Sequence, residues 1–295
     1  MLEVKNLTKT FDGFRALDGL NLTVPRGAVY GLVGPNGAGK STVIRHIMGV
    51  YRSDSGTVTL DGEPVYENEK LKNTMVCIPD EIFFETSDTI MDLKRLYAGI
   101  YPKFDENRFL NLSNVFPLDV KKPIRRFSKG MQKQAAFWLA ISCRPEVLVL
   151  DEPVDGLDPV MRRQIMSIIL EDVAENGTTV LVSSHNLREL EDICDHVGIL
   201  HKGRMMLERS LSDLQENMVK VQLVMDQPLP EGLQVVHHSA VGRVQTVIVR
   251  GNAEAVQAQL QPLNPLLCDV LPLSLEEVFI YELGGVDYEV KNVLL

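Results

Sequence analysis

Apolar and polar residues alternate at the start of the chain. Residues 2–4 and 20–24 follow this period of two, which predicts half-exposed antiparallel strands joined by a turn at Asp12-Gly13. The mostly apolar run 28–33 predicts a buried parallel strand. Beyond residue 42, apolar residues recur at helical spacing and predict a helix with one buried face, formed by Val43, Ile44, Ile47 and Met48.

The middle of the chain changes from strand to helix and back. Residues 57–60 and 75–78 predict strands, and Pro79 ends the second of them. From about 90 to 142 the apolar period is helical, so we expect a helical insertion that interrupts the sheet. Its first helix carries one predicted apolar stripe: Leu93, Leu96, Tyr97 and Ile100. Residues 147–150 and 179–183 predict two further core strands.

A phosphate-binding loop lies between the first buried strand and its helix. Residues 34–42 fit the pattern G-x-x-x-x-G-K-[ST] without a mismatch, in the strand-loop-helix context that the pattern needs. Glycines leave backbone N–H groups free to converge on phosphate oxygens at the positive end of the helix. We expect Lys40 to reach the β- and γ-phosphates and Ser41 to ligate Mg²⁺. The loop alone leaves kinase, GTPase and ATPase open.

Two carboxylates and a histidine follow predicted core strands. Asp151 and Glu152 come directly after residues 147–150, so a parallel sheet delivers them to the edge where the phosphate loop lies. Asp151 can hold Mg²⁺, and Glu152 can polarise a water aimed at the γ-phosphate. His185 follows the strand at 179–183 and could donate to a γ-phosphate oxygen or orient the water; a lone histidine is also often structural.

Three further residues are candidates for the site or for helix capping. Phe11 and Ser128 each have two interpretations, and Asp158 has one. Phe11 could stack on an adenine ring, a contact of about 1–3 kcal/mol, or could simply pack in the core. Ser128 is a candidate N-cap, which would expose a helix N-terminus to an anion or merely cap the helix. Asp158, followed by Pro159, marks the start of another helix.

Composition bounds the class of protein. The chain has 295 residues, 45% of them hydrophobic, which suits one large globular domain plus a smaller one. Its net charge of -10 argues against a nucleic-acid partner. The four dispersed cysteines predict free thiols in a reducing compartment. The N-terminus lacks the layout of a signal peptide and no apolar run is long enough for a bilayer, so we expect a soluble chain whose membrane role needs a partner.

Together these motifs resemble the nucleotide-binding subunit of an ATP-binding cassette (ABC) transporter over residues 2–214. Residues 34–42 match its Walker A loop and 148–152 its Walker B strand with the catalytic glutamate; 155–158 resemble the D-loop, with Asp158 at its end, and His185 holds the switch-histidine position. The resemblance implies catalytic roles for Lys40, Glu152 and His185. It implies ATP contacts at Phe11, Gly34, Pro35, Asn36, Gly37, Ala38, Gly39, Lys40, Ser41 and Thr42.

Two motifs depart from the family pattern. The signature motif, which the family uses in trans, corresponds to Ser128, Lys129, Gly130, Met131 and Gln132. Lysine and methionine replace a glycine and a glutamine there, while Ser128 and Gly130, which the family uses against the γ-phosphate, are retained. At the Q-loop position the family has glutamine and this chain has Asp80. A carboxylate there could still meet Mg²⁺, together with Ser41 and Asp151, but it is charged and only accepts hydrogen bonds.

The resemblance also implies an architecture and a mechanism. We expect an α/β P-loop NTPase of the ABC ATPase fold over 1–216, with an N-terminal antiparallel subdomain and a helical subdomain at about 82–143. Two subunits, as a homodimer or a heterodimer, would close head to tail on ATP and Mg²⁺, hydrolyse ATP to ADP and phosphate, and drive a transmembrane permease from the cytoplasmic face of the membrane. The alternative is a soluble ABC-type ATPase that acts as a nucleotide-dependent switch.

Residues 217–295 predict a small α/β accessory domain. Strands are expected at 219–225 and 244–249 and helices at 253–260 and 274–283, the last with a capping box between Ser274 and Glu277. The closing residues 274–279 resemble the tail of ABC-2-type exporter ATPases, a group that includes drug- and antibiotic-resistance systems. The resemblance leaves the cargo, the direction of transport and the permease open.

Overall fold

The fold comes from a computed structural model that describes residues 1–281 except 217, 226, 231, 272, 275 and 278–280. The strands of these residues are β1 (Leu2–Phe11), β2 (Phe14–Val24), β3 (Val29–Val33), β4 (Ser55–Leu60), β5 (Glu63–Pro64), β6 (Met75–Ile78), β7 (Val147–Asp151), β8 (Thr179–Ser184), β9 (His196–His201), β10 (Arg204–Ser210), β11 (Met218–Val224), β12 (Gln234–Val241), β13 (Val244–Arg250) and β14 (Leu267–Leu271). Their helices are α1 (Lys40–Ile47), α2 (Glu69–Lys72), α3 (Ile90–Ile100), α4 (Glu106–Leu112), α5 (Lys129–Ser142), α6 (Pro159–Asn176), α7 (Leu211–Glu216) and α8 (Ala253–Leu260).

The first strands form an antiparallel sheet in the order β2-β1-β4-β5. Phe11 pairs with Phe14 across the predicted turn, where Asp12 and Gly13 both have positive φ, 46° and 85°. Glycine and aspartate tolerate this left-handed backbone, which explains the turn at this position. The predicted hairpin is confirmed, and its inward-facing leucines and valines are buried in the core.

A six-stranded sheet carries the chemistry, in the order β10-β9-β3-β8-β7-β6. Strands β9, β3, β8, β7 and β6 pair in parallel, and every residue of β3 and β7 is buried. Strands buried on both faces read as continuous apolar runs, which is why the sequence pattern located them. Because neighbouring parallel strands end at one edge, the loops after β3, β7 and β8 are brought together there.

Helices α3, α4 and α5 form the helical insertion, and Ser128 caps α5 by accepting from the N–H of Met131 at 3.3 Å. The predicted helix is confirmed as α3, but its apolar stripe is only partly covered, because Leu96 is 53% and Ile100 is 46% exposed. Only Ile90, at the start of α3, is fully buried. Spacing identifies an apolar face but does not say whether the same chain covers it.

Trp138 is the largest buried side chain of the protein and joins α5 to α4. Its Nε1 donates to the carbonyl of Phe109 at 2.7 Å, and its ring stacks on that of Phe109 with 4.8 Å between centroids. We expect Trp138→Ala to lower the free energy of unfolding of the first unit by about 3–5 kcal/mol. Thermal unfolding followed by circular dichroism measures this, with the exposed Leu110→Ala as control; equal melting temperatures for both variants would contradict it.

The described residues fall into two compact units, one within Met1–Glu208 and the other within Arg209–Leu295. The predicted boundary at 216/217 lies further along the chain, because α7 contacts β11 and so falls in the second unit. That unit contains an antiparallel sheet in the order β12-β13-β11-β14, with α8 packed on β11 and β14. The predicted strand at 244–249 and helix at 253–260 are confirmed.

The remaining predictions for the second unit have mixed outcomes. The helix at 274–283 lies mainly outside the described residues, but its capping box is present: Ser274 N–H donates to Glu277 Oε2 at 3.0 Å and Glu277 N–H to Ser274 Oγ at 3.2 Å.

Strands β9, β10, β12 and β14 were not predicted. All four cysteines are free thiols. Within the described residues, none of the helices has both the length and the apolar character of a membrane span.

Candidate active site

The phosphate loop follows β3 and ends in the first turn of α1. Gly39 is the N-cap of α1 with φ 111°, and Gly37 has φ 81°, so both hold left-handed backbone that side chains rarely adopt. A Cβ on Gly34 would lie 2.3 Å from the carbonyl oxygen of Leu200. The loop therefore needs its glycines for backbone shape, and it presents the N–H groups at the start of α1 to an anion.

Lys40 is buried at the base of this loop. Its Nζ donates to the carbonyl of Gly34 at 2.6 Å and lies 3.1 Å from Oε1 of Glu152. The ion pair joins the loop after β3 to the residue after β7. The two oppositely charged motifs thus meet, as their position at one sheet edge predicts.

Asp151 and Glu152 are held by the neighbouring strand β8. Ser183 Oγ donates to Asp151 Oδ1 at 2.5 Å, and the N–H of Glu152 donates to Ser183 Oγ at 3.1 Å. Glu152 is buried with φ 47°, a left-handed conformation that costs a non-glycine residue of order 1–3 kcal/mol. Strain of this kind persists only where surrounding contacts fix the residue, and here it turns the Glu152 carboxylate toward Lys40.

His185 contacts the other oxygen of the Glu152 carboxylate. Its Nδ1 lies 2.9 Å from Oε2, and its backbone N–H donates to the same oxygen at 3.3 Å. The hydrogen bond with Glu152 raises the pKa of His185, which favours the protonated imidazole beside the carboxylate. A ligand atom of Asp155 lies within 4.8 Å of both partners.

A cavity of about 480 Å³ opens in front of the phosphate loop. Phe11 and Tyr51 form part of its wall, with their rings edge to face and 5.4 Å between centroids. Its other lining residues are Phe14, Ala16, Pro35, Asn36, Gly37, Gly39, Lys40, Ser41, Thr42, Arg45, Asp80 and Glu152. Two of the predicted ATP contacts, Gly34 and Ala38, are buried and do not line the cavity. The cavity combines phosphate-binding groups with aromatic rings, as a nucleotide requires.

The signature residues lie elsewhere on the same subunit. Gly130 packs against the loop after β7, where a Cβ on it would lie 2.7 Å from the carbonyl of Gly156. Lys129 and Gln132 line a second cavity of about 580 Å³. All five signature residues are described, and none of them lines the cavity of the phosphate loop. One subunit does not bring its own signature motif to its own phosphate loop.

Asp80 and Asp158 occupy different kinds of position. Asp80 lines both cavities and is about half exposed; partial burial raises its pKa despite the nearby Lys133. Asp158 caps α6, with its Oδ1 accepting from the N–H groups of Val160 and Met161 at 3.0 Å each. The carboxylate of Asp158 is therefore engaged in fixing the helix that follows the D-loop.

The sequence interpretation gave no role in the site to Arg45, Tyr51 or Lys133. Arg45 and Tyr51 line the cavity of the phosphate loop, and Lys133 donates to the Glu152 carbonyl. Asp155, which the sequence placed in the D-loop, lies beside Glu152 and His185. Helical spacing could have indicated Arg45, which lies one turn after Ser41 on α1. Tyr51 and Lys133 depend on contacts between elements that are distant in sequence.

A parallel sheet with a phosphate loop, two acidic residues and a histidine at one edge defines a P-loop nucleoside triphosphatase. The chain belongs to the ABC transporter ATP-binding proteins: a family profile described as ABC transporter matches residues 17–155. The Bacillus subtilis ABC transporter ATP-binding protein YtrB is 32% identical over 288 residues, which cover 97% of this chain and 99% of that protein.

Two further comparisons agree with this assignment. The bacitracin transport ATP-binding protein BcrA of Bacillus licheniformis is 32% identical over 220 residues, 73% of this chain and 72% of that protein. A solved ATP-binding subunit of an ABC transporter is 31% identical with a TM-score of 0.69, over 73% of this chain and 92% of that one. The predicted family, its ABC ATPase fold and its function as an ATP-hydrolysing transporter subunit are confirmed.

Proposed function

We propose that two copies of this chain close head to tail around ATP and Mg²⁺ and thereby drive a separate transmembrane permease. The observation that carries the proposal is the separation of the two half-sites: the phosphate loop lines one cavity of the subunit and the signature helix another. The N-terminus of α5, capped by Ser128, suits a phosphate held by a second subunit. The site is therefore complete only in a dimer.

Each residue has a defined role in this proposal. The loop N–H groups and Lys40 bind the β- and γ-phosphates, and Phe11 and Tyr51 contact the base. Glu152 accepts a proton from the attacking water, and His185 fixes the Glu152 carboxylate through the 2.9 Å contact. The signature motif of the partner closes over the γ-phosphate.

The donor chemistry of the site fits Mg²⁺. Ser41 and Asp80 line the cavity of the phosphate loop, and Asp151 is the last residue of β7. All three offer the oxygen ligands that Mg²⁺ prefers. The ion supplies positive charge against the phosphate oxygens when it is bound. We propose these three residues as its protein ligands.

The permease is the proposed partner at the membrane. Phe83, 75% exposed, lies between β6 and the helical insertion, whereas Phe84 is buried in the core. We propose Phe83 as a contact for a permease helix on the cytoplasmic side of the membrane. The name of BcrA, a bacitracin transport protein, supports an exporter of the drug- and antibiotic-resistance group.

Complementation between two inactive variants tests the composite site. Lys40→Met removes the phosphate-loop amine, and Ser128→Arg blocks the signature motif with a bulky side chain; each alone should hydrolyse little ATP. Mixed dimers contain one intact composite site, so the mixture should recover roughly a quarter of the parent activity. Measuring phosphate release against the mixing ratio checks this. A mixture that forms dimers and stays as inactive as its components would refute the head-to-tail arrangement.

A further inference from the structure

Lys133 is a buried lysine on the signature helix. It lies in the second turn of α5, with 8% of its surface exposed, beside the buried residues Ala135 and Phe137. A buried ammonium group is unfavourable unless it is paired and hydrogen-bonded. We therefore expect the ammonium group of Lys133 to have a hydrogen-bond acceptor on a neighbouring element.

That acceptor is the backbone carbonyl of Glu152. Lys133 Nζ donates to the Glu152 carbonyl at 2.7 Å, in a fully buried hydrogen bond. The same amine lies 3.9 Å from Oδ1 of Asp80. One side chain thus joins three motifs that are separate in sequence: the signature helix, the end of β7 and the loop after β6.

The backbone of Glu152 needs such a contact. Its φ of 47° is left-handed, and its N–H is already bound to Ser183 on one side. The next residue, Pro153, has no N–H group with which to fix the following turn. The bond from Lys133 secures the carbonyl, so that both polar backbone groups of Glu152 are held and its carboxylate keeps its direction toward Lys40 and His185.

We propose that Lys133 is a positioning residue for ATP hydrolysis, holding the Glu152 backbone in the conformation from which its carboxylate acts. Lys133 acts through Glu152 and touches no reacting atom. The inference rests on the proposed role of Glu152 as the base. The charged side chains that line the same cavity as Lys133 are Asp80, Glu81, Lys129 and Asp155, and Asp80 is the one paired with the amine.

Lys133→Met tests the proposal, because methionine keeps the length and apolar stem of the side chain and removes the donor. We expect kcat to fall on the order of 10- to 100-fold, the effect of a small misplacement of a catalytic group, while KM for ATP stays near the parent value. Lys133→Gln, which retains a donor without charge, should fall between the parent and Lys133→Met. Lys121→Met, at an exposed position outside the site, is the matched control and should match the parent.

Single-turnover rates in the Glu152→Gln background separate positioning from a merely structural role. If Lys133 acts only through the Glu152 carboxylate, Lys133→Met has no further effect once that carboxylate is an amide. The inference is overturned if Lys133→Met keeps the parent kcat, or if it weakens ATP binding as much as it lowers kcat. It is also overturned if Lys133→Met lowers the single-turnover rate of Glu152→Gln by the same factor as it lowers that of the parent protein. A fully active Glu152→Gln protein refutes the proposed role of Glu152 as the base, whereas an inactive one beside a fully active Lys133→Met refutes only this inference.

Discussion

Glu152→Gln should lower kcat for ATP hydrolysis by about 10²–10⁴-fold and leave ATP binding intact. The amide has the size of the carboxylate but cannot take the proton of the attacking water. Its oxygen can occupy the position of Oε1, which lies 3.1 Å from the amine of Lys40 in the parent. Phosphate release measures the first effect, and equilibrium binding of ATP measures the second.

The same variant should accumulate as an ATP-bound dimer, because closure is retained while hydrolysis no longer resets it. Size-exclusion chromatography with and without Mg-ATP detects the dimer. Glu171→Gln, an exposed position on α6, provides the control and should behave as the parent. A Glu152→Gln protein that turns over ATP at the parent rate would exclude Glu152 as the base.

The sequence predicts the parts of the site that are contiguous or that lie at strand ends. The phosphate loop is a local motif whose glycines and helix start are fixed by neighbouring residues. The position of Glu152 near His185 follows from two buried strands that end at the same sheet edge. Their 2.9 Å contact requires the register of β7 and β8, in which Asp151 pairs with Ser183, and no pattern in the sequence specifies that register.

Contacts between helices and the sheet could not be predicted in this way. Lys133 meets the Glu152 carbonyl because α5 packs against β6 with this lysine turned toward the residue after β7. The sequence shows only a lysine in an apolar helix. Leu96 illustrates the converse, since an apolar stripe at helical spacing is exposed on α3. Sequence periodicity identifies the faces of helices, whereas packing decides which face is covered and which polar group lies against it.

Lys40→Met should weaken ATP binding roughly 10- to 100-fold, the contribution of a charge-assisted hydrogen bond. It should also destabilise the protein, because Lys40 and Glu152 are a buried pair with side chains 6% and 10% exposed. Removing the cation leaves Oε1 without its charged partner, while His185 still contacts Oε2. We expect the free energy of unfolding of the first unit to fall by about 2 kcal/mol, less than for a pair that loses its only partner.

Adding Glu152→Gln to Lys40→Met isolates this coupling. The neutral amide removes the uncompensated charge, so the double variant should regain most of the stability lost by Lys40→Met while its ATP affinity stays low. Thermal unfolding followed by circular dichroism measures stability, and equilibrium binding measures affinity. Lys121→Met, which removes an exposed lysine, controls for the general effect of losing a charge. Additive stabilities in the two single and the double variants would show that the amine of Lys40 and the carboxylate of Glu152 do not form a stabilising pair.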